Sequence, residues 1–168
     1  YEHIIQELGS KAKQQVHHAP FEDWQPDPSM AGSFDLLLTS PPFAHLELYS
    51  DEKTQSSYRY PKLSQWRDGF LFPCLRKCDW LLQRGGHALL HLSDQVDFAH
   101  PQCSQYFVQD TILFAQRALN WRFLGCLGHT KRDRVAALYH KDRYNQQGLR
   151  VNKRGQVIIQ TIWVFCKR

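Results

Sequence analysis

Phe34-Asp-Leu-Leu-Leu-Thr-Ser-Pro-Pro-Phe43 decides how this chain is read. Phe34 to Thr39 form a short apolar run bounded by turn residues, the pattern of a buried strand. Pro41 and Pro42 stop it, because neither can donate a ladder hydrogen bond and both fix φ. The result is a rigid, donor-poor turn at the carboxyl end of a strand, with backbone carbonyls free to point at something. In open α/β sheets that is where ligands sit.

Downstream, residues 44 to 61 show little periodicity, and a loop of that length is uncommon unless functional or mobile. Leu63, Trp66, Phe70, Cys74, Cys78 and Leu81 then recur every three or four residues, which predicts a long amphipathic helix that Pro73 should kink or break. Gly85-Gly86 is expected to end it, glycine being free to turn left-handed, and His87 to Leu92 to form the next strand. Ser104 suits the N-cap of a helix whose Val108, Ile112, Ala115 and Leu119 share a face. Trp121–Leu127, Arg134–Tyr139 and Val157–Cys166 read as further strands. Upstream, Ile4, Ile5 and Leu8 suggest a helix, Val16–Ala19 a short strand, and Gln25–Gly32 a loop. Helices alternating with apolar strands predict an α/β fold with a mostly parallel sheet. The terminal strand, with no helix before it, is expected to be antiparallel.

At 168 residues, 42% hydrophobic and 22% charged, the chain reads as one ordinary globular domain. No apolar run approaches the roughly 18 residues of a spanning helix, and no signal peptide is visible, so an intracellular protein without a membrane partner is expected. Five cysteines at unrelated spacings read as reduced thiols. No metal site is expected, since a structural zinc wants four converging ligands. Nine histidines are scattered, with His87 and His91 on strand ends or faces. The formal charge of +5 is concentrated in Lys131, Arg132, Arg134, Lys141, Arg143, Arg150, Lys153 and Arg154, among which Asp133 and Asp142 are the only acids. Interleaved with Tyr139, His140 and Tyr144, these bases suit phosphate contact with base stacking, or else an ordinary solvated loop.

Ser40-Pro-Pro-Phe43 resembles the (Asp/Asn/Ser)-Pro-Pro-(Tyr/Phe/Trp) motif of the S-adenosylmethionine-dependent amino-methyltransferases. Leu81-Leu-Gln-Arg-Gly-Gly-His-Ala-Leu-Leu-His91 looks like the helix, Gly-Gly turn and strand that follow the motif there, and Gln160–Lys167 like the family's final strand. The resemblance implies a class I methyltransferase (Rossmann-like) sheet, with residues 1–168 a single methyltransferase-like domain. It implies methyl transfer from S-adenosyl-L-methionine to an exocyclic amino group of a base in DNA or RNA. Ser40 and the Pro41 carbonyl would accept the two N–H bonds of the amine, Pro42 would stiffen the turn, and Phe43 would stack on the ring. His17-His-Ala-Pro-Phe-Glu-Asp-Trp24 resembles the family's third strand and acidic turn. There Phe21 would pack on the cofactor's adenine, and Glu22 or Asp23 would accept its amino group.

The family's glycine-rich loop has no counterpart: no G-x-G occurs, and Gly125-x2-Gly128 lies in the wrong place. The chain is therefore expected to be the C-terminal portion of the fold, incomplete at its N-terminal side, or to have lost half of the cofactor site. The alternative is a catalytically inactive methyltransferase-like module that binds RNA or protein partner subunits in a complex. A third reading keeps the enzyme but turns it on a protein amide.

Overall fold

The computed structural model describes residues 17–42, 51–94, 104–130, 151, 156, 157 and 159–168. The helix expected over residues 1–14 and the strand over Arg134–Tyr139 lie outside them. Four strands form one mixed sheet: β1 (Phe34–Thr39), β2 (Leu82–His91), β3 (Trp121–Thr130) and β4 (Ile159–Lys167), in the order β1-β2-β4-β3. β1 and β2 pair parallel, while β4 runs antiparallel to both β2 and β3. Three strands thus point one way and β4 the other, yet two of the three ladders are antiparallel, so the mostly parallel pairing expected from the sequence is not seen among the described strands. Insertion of reversed β4 between β2 and β3 leaves a single parallel ladder among the described strands.

The helices are α1 (Ser56–Arg59), α2 (Leu63–Trp66), α3 (Phe72–Leu81) and α4 (Phe107–Ala118). The long α-helix expected over Leu63–Leu81 is interrupted just before Pro73. A π-helical segment, Arg67–Leu71, joins α2 to α3, and the Phe72 N–H reaches back to the Arg67 carbonyl. Widening the turn just before proline eases the clash of its ring with the preceding carbonyls and moves Pro73 to the start of a new helix, where its missing N–H costs nothing. α1 was hidden in a stretch without periodicity, since four residues are too few to show any. α4 begins at Phe107 with Tyr106 as N-cap, not at Ser104. Asn120 adopts φ 57° directly after α4, so the chain turns into β3 within two residues.

Two further expectations fail. Residues 17–19 are not a strand; they lead into a turn in which the Asp23 and Trp24 N–H groups both donate to the Pro20 carbonyl. Gly85-Gly86 does not end a helix either, because α3 stops at Leu81 and both glycines lie inside β2. The register against β1 jumps there, from Phe34 opposite Leu82 to Leu36 opposite His87. Gly85 has φ 81°, and a Cβ on Gly86 would sit 2.9 Å from the Gln83 carbonyl oxygen, 3.1 Å from that of Asp35 and 3.2 Å from that of Phe34. Backbone cannot yield as a side-chain tip can, so Gly86→Ala is expected to cost roughly 1–3 kcal/mol. A urea midpoint equal to that of the parent chain would remove this close approach from the account.

One core cluster joins the sheet to its helices. Trp66, Leu71, Leu75, Cys78, Leu82, Ala88, Leu90, Phe107, Ala115, Trp121 and Phe165 are all buried in it. Each tryptophan indole that faces this interior finds an acceptor: Trp66 at Ser56 Oγ (3.2 Å), Trp121 at Asp79 Oδ1 (2.6 Å) and Trp163 at the Leu92 carbonyl (2.8 Å). Alternate residues of β1 are treated differently. Leu37 packs against the core, whereas Phe34, Leu36 and Leu38 are exposed.

Candidate functional site

The parallel pairing of β1 and β2 places Thr39 beside Leu90, so the next residues, Ser40 just past β1 and His91 as the last residue of β2, stand side by side at the sheet's carboxyl end. Ser40 is exposed, and its Oγ lies 3.2 Å from His91 Nδ1. Pro41 and Pro42 follow, half-buried, and carry the chain away from the strand. Phe43 lies outside the described residues, as do Lys131, Arg132, Arg134, Lys141, Arg143, Arg150, Lys153 and Arg154.

The acidic turn before β1 is brought to the same region. Pro42 lines a cavity of about 380 Å³ together with Phe21, Glu22, Gln55, Ser56 and Phe70. Asp23 does not line it. Two cations from the helices fix the turn. Lys77 of α3 donates through Nζ to the carbonyls of Phe21 (2.8 Å), Glu22 (3.0 Å) and Trp24, so the turn's acceptors are gathered on one ammonium. Arg59 of α1 binds both carboxylates, with Nη1 2.8 Å from Glu22 Oε1 and 2.6 Å from Asp23 Oδ2, and Nη2 3.1 Å from Asp23 Oδ1. Asp23 thus commits both oxygens to the guanidinium, and Glu22 only one. The Phe21 ring lies 5.6 Å from the Lys77 ammonium and also lines a second, apolar cavity of about 860 Å³ against Phe34, Leu36 and Leu38 of β1.

Hydrogen bonding to Arg59 holds the Asp23 carboxyl below the usual carboxylate range. In the unfolded chain it titrates near pH 4. The pair therefore stabilises the fold fully above that pH, and the contribution disappears as pH falls through the lower folded value. Asp23→Asn is expected to flatten the loss of stability below about pH 4. Superimposable acid-unfolding profiles for variant and parent would show that the pair is too solvated to matter.

Burial pushes the thiols of Cys74 and Cys78 up to about 12, so both stay protonated at neutral pH and neither is a nucleophile. Among the described residues no three His, Cys, Asp or Glu side chains converge as metal ligands, and no helix is long and apolar enough to cross a membrane.

Of the residues singled out from sequence, the structure thus brings Phe21, Glu22 and Pro42 to one cavity and places Ser40 on His91. His91, Arg59 and Lys77 were not foreseen. The signal for His91 was present, since it stands at the carboxyl end of the strand that follows Gly85-Gly86. Only the register with β1 singles it out from the other histidines.

No family model matches the chain, and no curated protein matches it. Among solved structures it is similar to the PvuII DNA methyltransferase, cytosine-N4-specific, with 16% identity and a TM-score of 0.49 over 82% of this chain and 44% of that one. It is similar also to a protein of Thermus thermophilus described as a DNA modification methylase, at 19% identity and a TM-score of 0.43, over 82% of this chain and 46% of that one. The same Thermus protein complexed with S-adenosyl-L-methionine gives 19% identity and a TM-score of 0.45, with 82% and 48% covered. The chain spans less than half the length of each. At such identities and scores these likenesses assign no chemistry to it.

Proposed function

We propose that the chain carries the amino-acceptor half of an S-adenosylmethionine-dependent N-methyltransferase acting on an exocyclic amino group of a base in DNA or RNA. One observation carries this reading. Ser40-Pro41-Pro42 stands at the carboxyl end of β1, with Pro42 on the wall of the cavity that Phe21 and Glu22 also line. An aryl amine is a poor nucleophile because its lone pair is delocalised into the ring. Acceptors that grip both N–H bonds localise that pair on nitrogen, which is catalysis by positioning and electrostatics. Ser40 Oγ and the Pro41 carbonyl are those acceptors, and Phe43 stacks on the ring. A base drawn from a duplex must leave its stack to reach them, and the basic residues from Lys131 to Arg154 hold the phosphates.

S-adenosylmethionine, when bound, supplies an electrophilic methyl group. The residues present fit its adenine end. Phe21 offers a ring, Glu22 keeps Oε2 outside its pair with Arg59, and about 380 Å³ is within the range of small-molecule pockets. Among the described residues none is a candidate for the methionine end. Calorimetric titration of S-adenosylmethionine into the chain is expected to give saturable binding that Glu22→Gln weakens about tenfold, the loss of one charge-assisted hydrogen bond. Binding that Glu22→Gln leaves unchanged would take Glu22 out of the site. No binding to a folded sample would leave two options, an enzyme of which this chain is only part, or a methyltransferase-like module without catalysis, for which the exposure of Phe34, Leu36 and Leu38 on β1 speaks.

A further inference from the structure

His91 does more than neighbour the motif. We infer that it is a positioning residue whose Nδ1 accepts the Ser40 hydroxyl and so leaves both lone pairs of Ser40 Oγ for the target amine. The inference rests on the amino-methyltransferase reading and names a residue that the motif does not contain.

Among the described residues Ser40 follows an edge strand and begins a turn, and its hydroxyl is met from outside its own segment, by His91. β2 is different. It lies between β1 and β4, with Leu90 opposite Trp163 and His91 opposite Ile162. The Trp163 indole donates to the Leu92 carbonyl at 2.8 Å, which ties the backbone just beyond His91 to β4. The imidazole is therefore carried by the better-anchored strand of the pair, and Ser40 Oγ lies 3.2 Å from its Nδ1.

A serine hydroxyl has one proton and two lone pairs, and the proton rotates to suit its surroundings. Pointed at the substrate, it would donate to the amine nitrogen and cover the lone pair that has to attack. Pointed at His91 Nδ1, it is out of the way and the oxygen is acceptor only. That arrangement requires the ring proton on Nε2, with Nδ1 bare. The opposite tautomer, with Nδ1 donating, would occupy one lone pair of Oγ and release the serine proton towards the amine. The two tautomers thus give opposite consequences for the same distance.

The test has a spectroscopic arm and a kinetic arm. With histidine nitrogens labelled in the full chain, long-range proton–nitrogen correlations report the tautomer of each ring, and His91→Asn identifies the His91 signals by their loss. The expected result is an unprotonated Nδ1 at His91 whose resonance moves in Ser40→Ala. A protonated Nδ1, or one indifferent to Ser40→Ala, overturns the proposal. In methyl-transfer assays on an oligonucleotide, His91→Leu should lower kcat about a hundredfold and leave the KM for S-adenosylmethionine unchanged. His91→Asn should restore most of the rate, because its Oδ1 occupies the place of Nδ1 on the same carbon. A kcat for His91→Leu equal to the parent's overturns the proposal, as does an Asn variant no better than the Leu variant. Should the parent chain transfer no methyl group to any base, the activity itself falls, and the ring-nitrogen signals still decide whether His91 orients Ser40.

Discussion

Ser40→Ala is expected to slow methyl transfer by a factor of about 10² to 10³, the typical loss when one preorganised hydrogen-bonding partner of a reacting group is removed. Folding should be untouched, since Ser40 is exposed and its one hydrogen bond within the described residues is the contact with His91. The measurement is incorporation of labelled methyl into an oligonucleotide, with the thermal midpoint recorded on the same sample. Without the hydroxyl, the target amine keeps only the Pro41 carbonyl as acceptor, and its lone pair drifts back into the ring. Ser40→Thr keeps the oxygen and should retain part of the rate. Transfer by Ser40→Ala within twofold of the parent would show that the motif serves the turn and not the amine.

The largest effect on stability is expected at Trp66. Its side chain is wholly buried, edge-on to Phe107 with centroids 5.0 Å apart, tilted against Phe70 at 5.1 Å, and bonded through Nε1 to Ser56 Oγ. Through these contacts a single ring joins α2, the π segment, α4 and the start of α1. Trp66→Ala should cost about 3–5 kcal/mol. Against a total of roughly 5–15 kcal/mol for a domain, that brings the chain near unfolding at room temperature. Urea titration reads the loss directly, and Trp66→Phe, which keeps most of the area, should recover more than half of it. A deficit under about 1 kcal/mol would mean that the site collapses around the cavity and that the cluster is less close-packed than its burial suggests. Ser56 and Phe70 also line the cavity shared by Glu22 and Pro42, so the alanine variant should bind S-adenosylmethionine less well even where it remains folded.

What the sequence revealed and what it hid divide along range. The bounds of Phe34–Thr39 were legible to the residue, because an apolar run closed by two prolines needs no distant partner to define it, but its expected burial was not met, since Phe34, Leu36 and Leu38 are exposed. The amphipathic spacing from Leu63 to Leu81 was legible too, although the π segment that lets Pro73 pass within it was not. Gly85-Gly86 misled because, locally, paired glycines after a helix look like its end. Their place inside β2 is set by Phe34 and Asp35, about fifty residues away, whose carbonyls leave no room for a side chain. The candidate site follows the same rule. Ser40, Pro42, Phe21 and Glu22 could be picked out by type and motif, yet the cavity that brings Pro42 to Phe21 and Glu22, and the contact of Ser40 with His91, depend on partners no local window contains. Arg59 meets the acidic turn from 36 and 37 residues away, and His91 meets Ser40 from 51. The reversed direction of β4 could be expected from the lack of a crossover helix. Its insertion between β2 and β3, which makes most of the ladders antiparallel, could not.

That insertion also sets an order of assembly during synthesis. Among the described residues β3 joins the sheet through β4, which is the last of the four strands to be made. While the ribosome is still adding residues up to Ile159, β1, β2 and α3 can associate, but β3 lacks the described strand it pairs with, and its backbone stands unpaired. A nascent chain paused in that interval is the species on which a holdase would find its longest unpaired strand. Release of Ile159–Lys167 then closes two ladders at once, so the β1–β2 pair and β3 are joined late and in a single step.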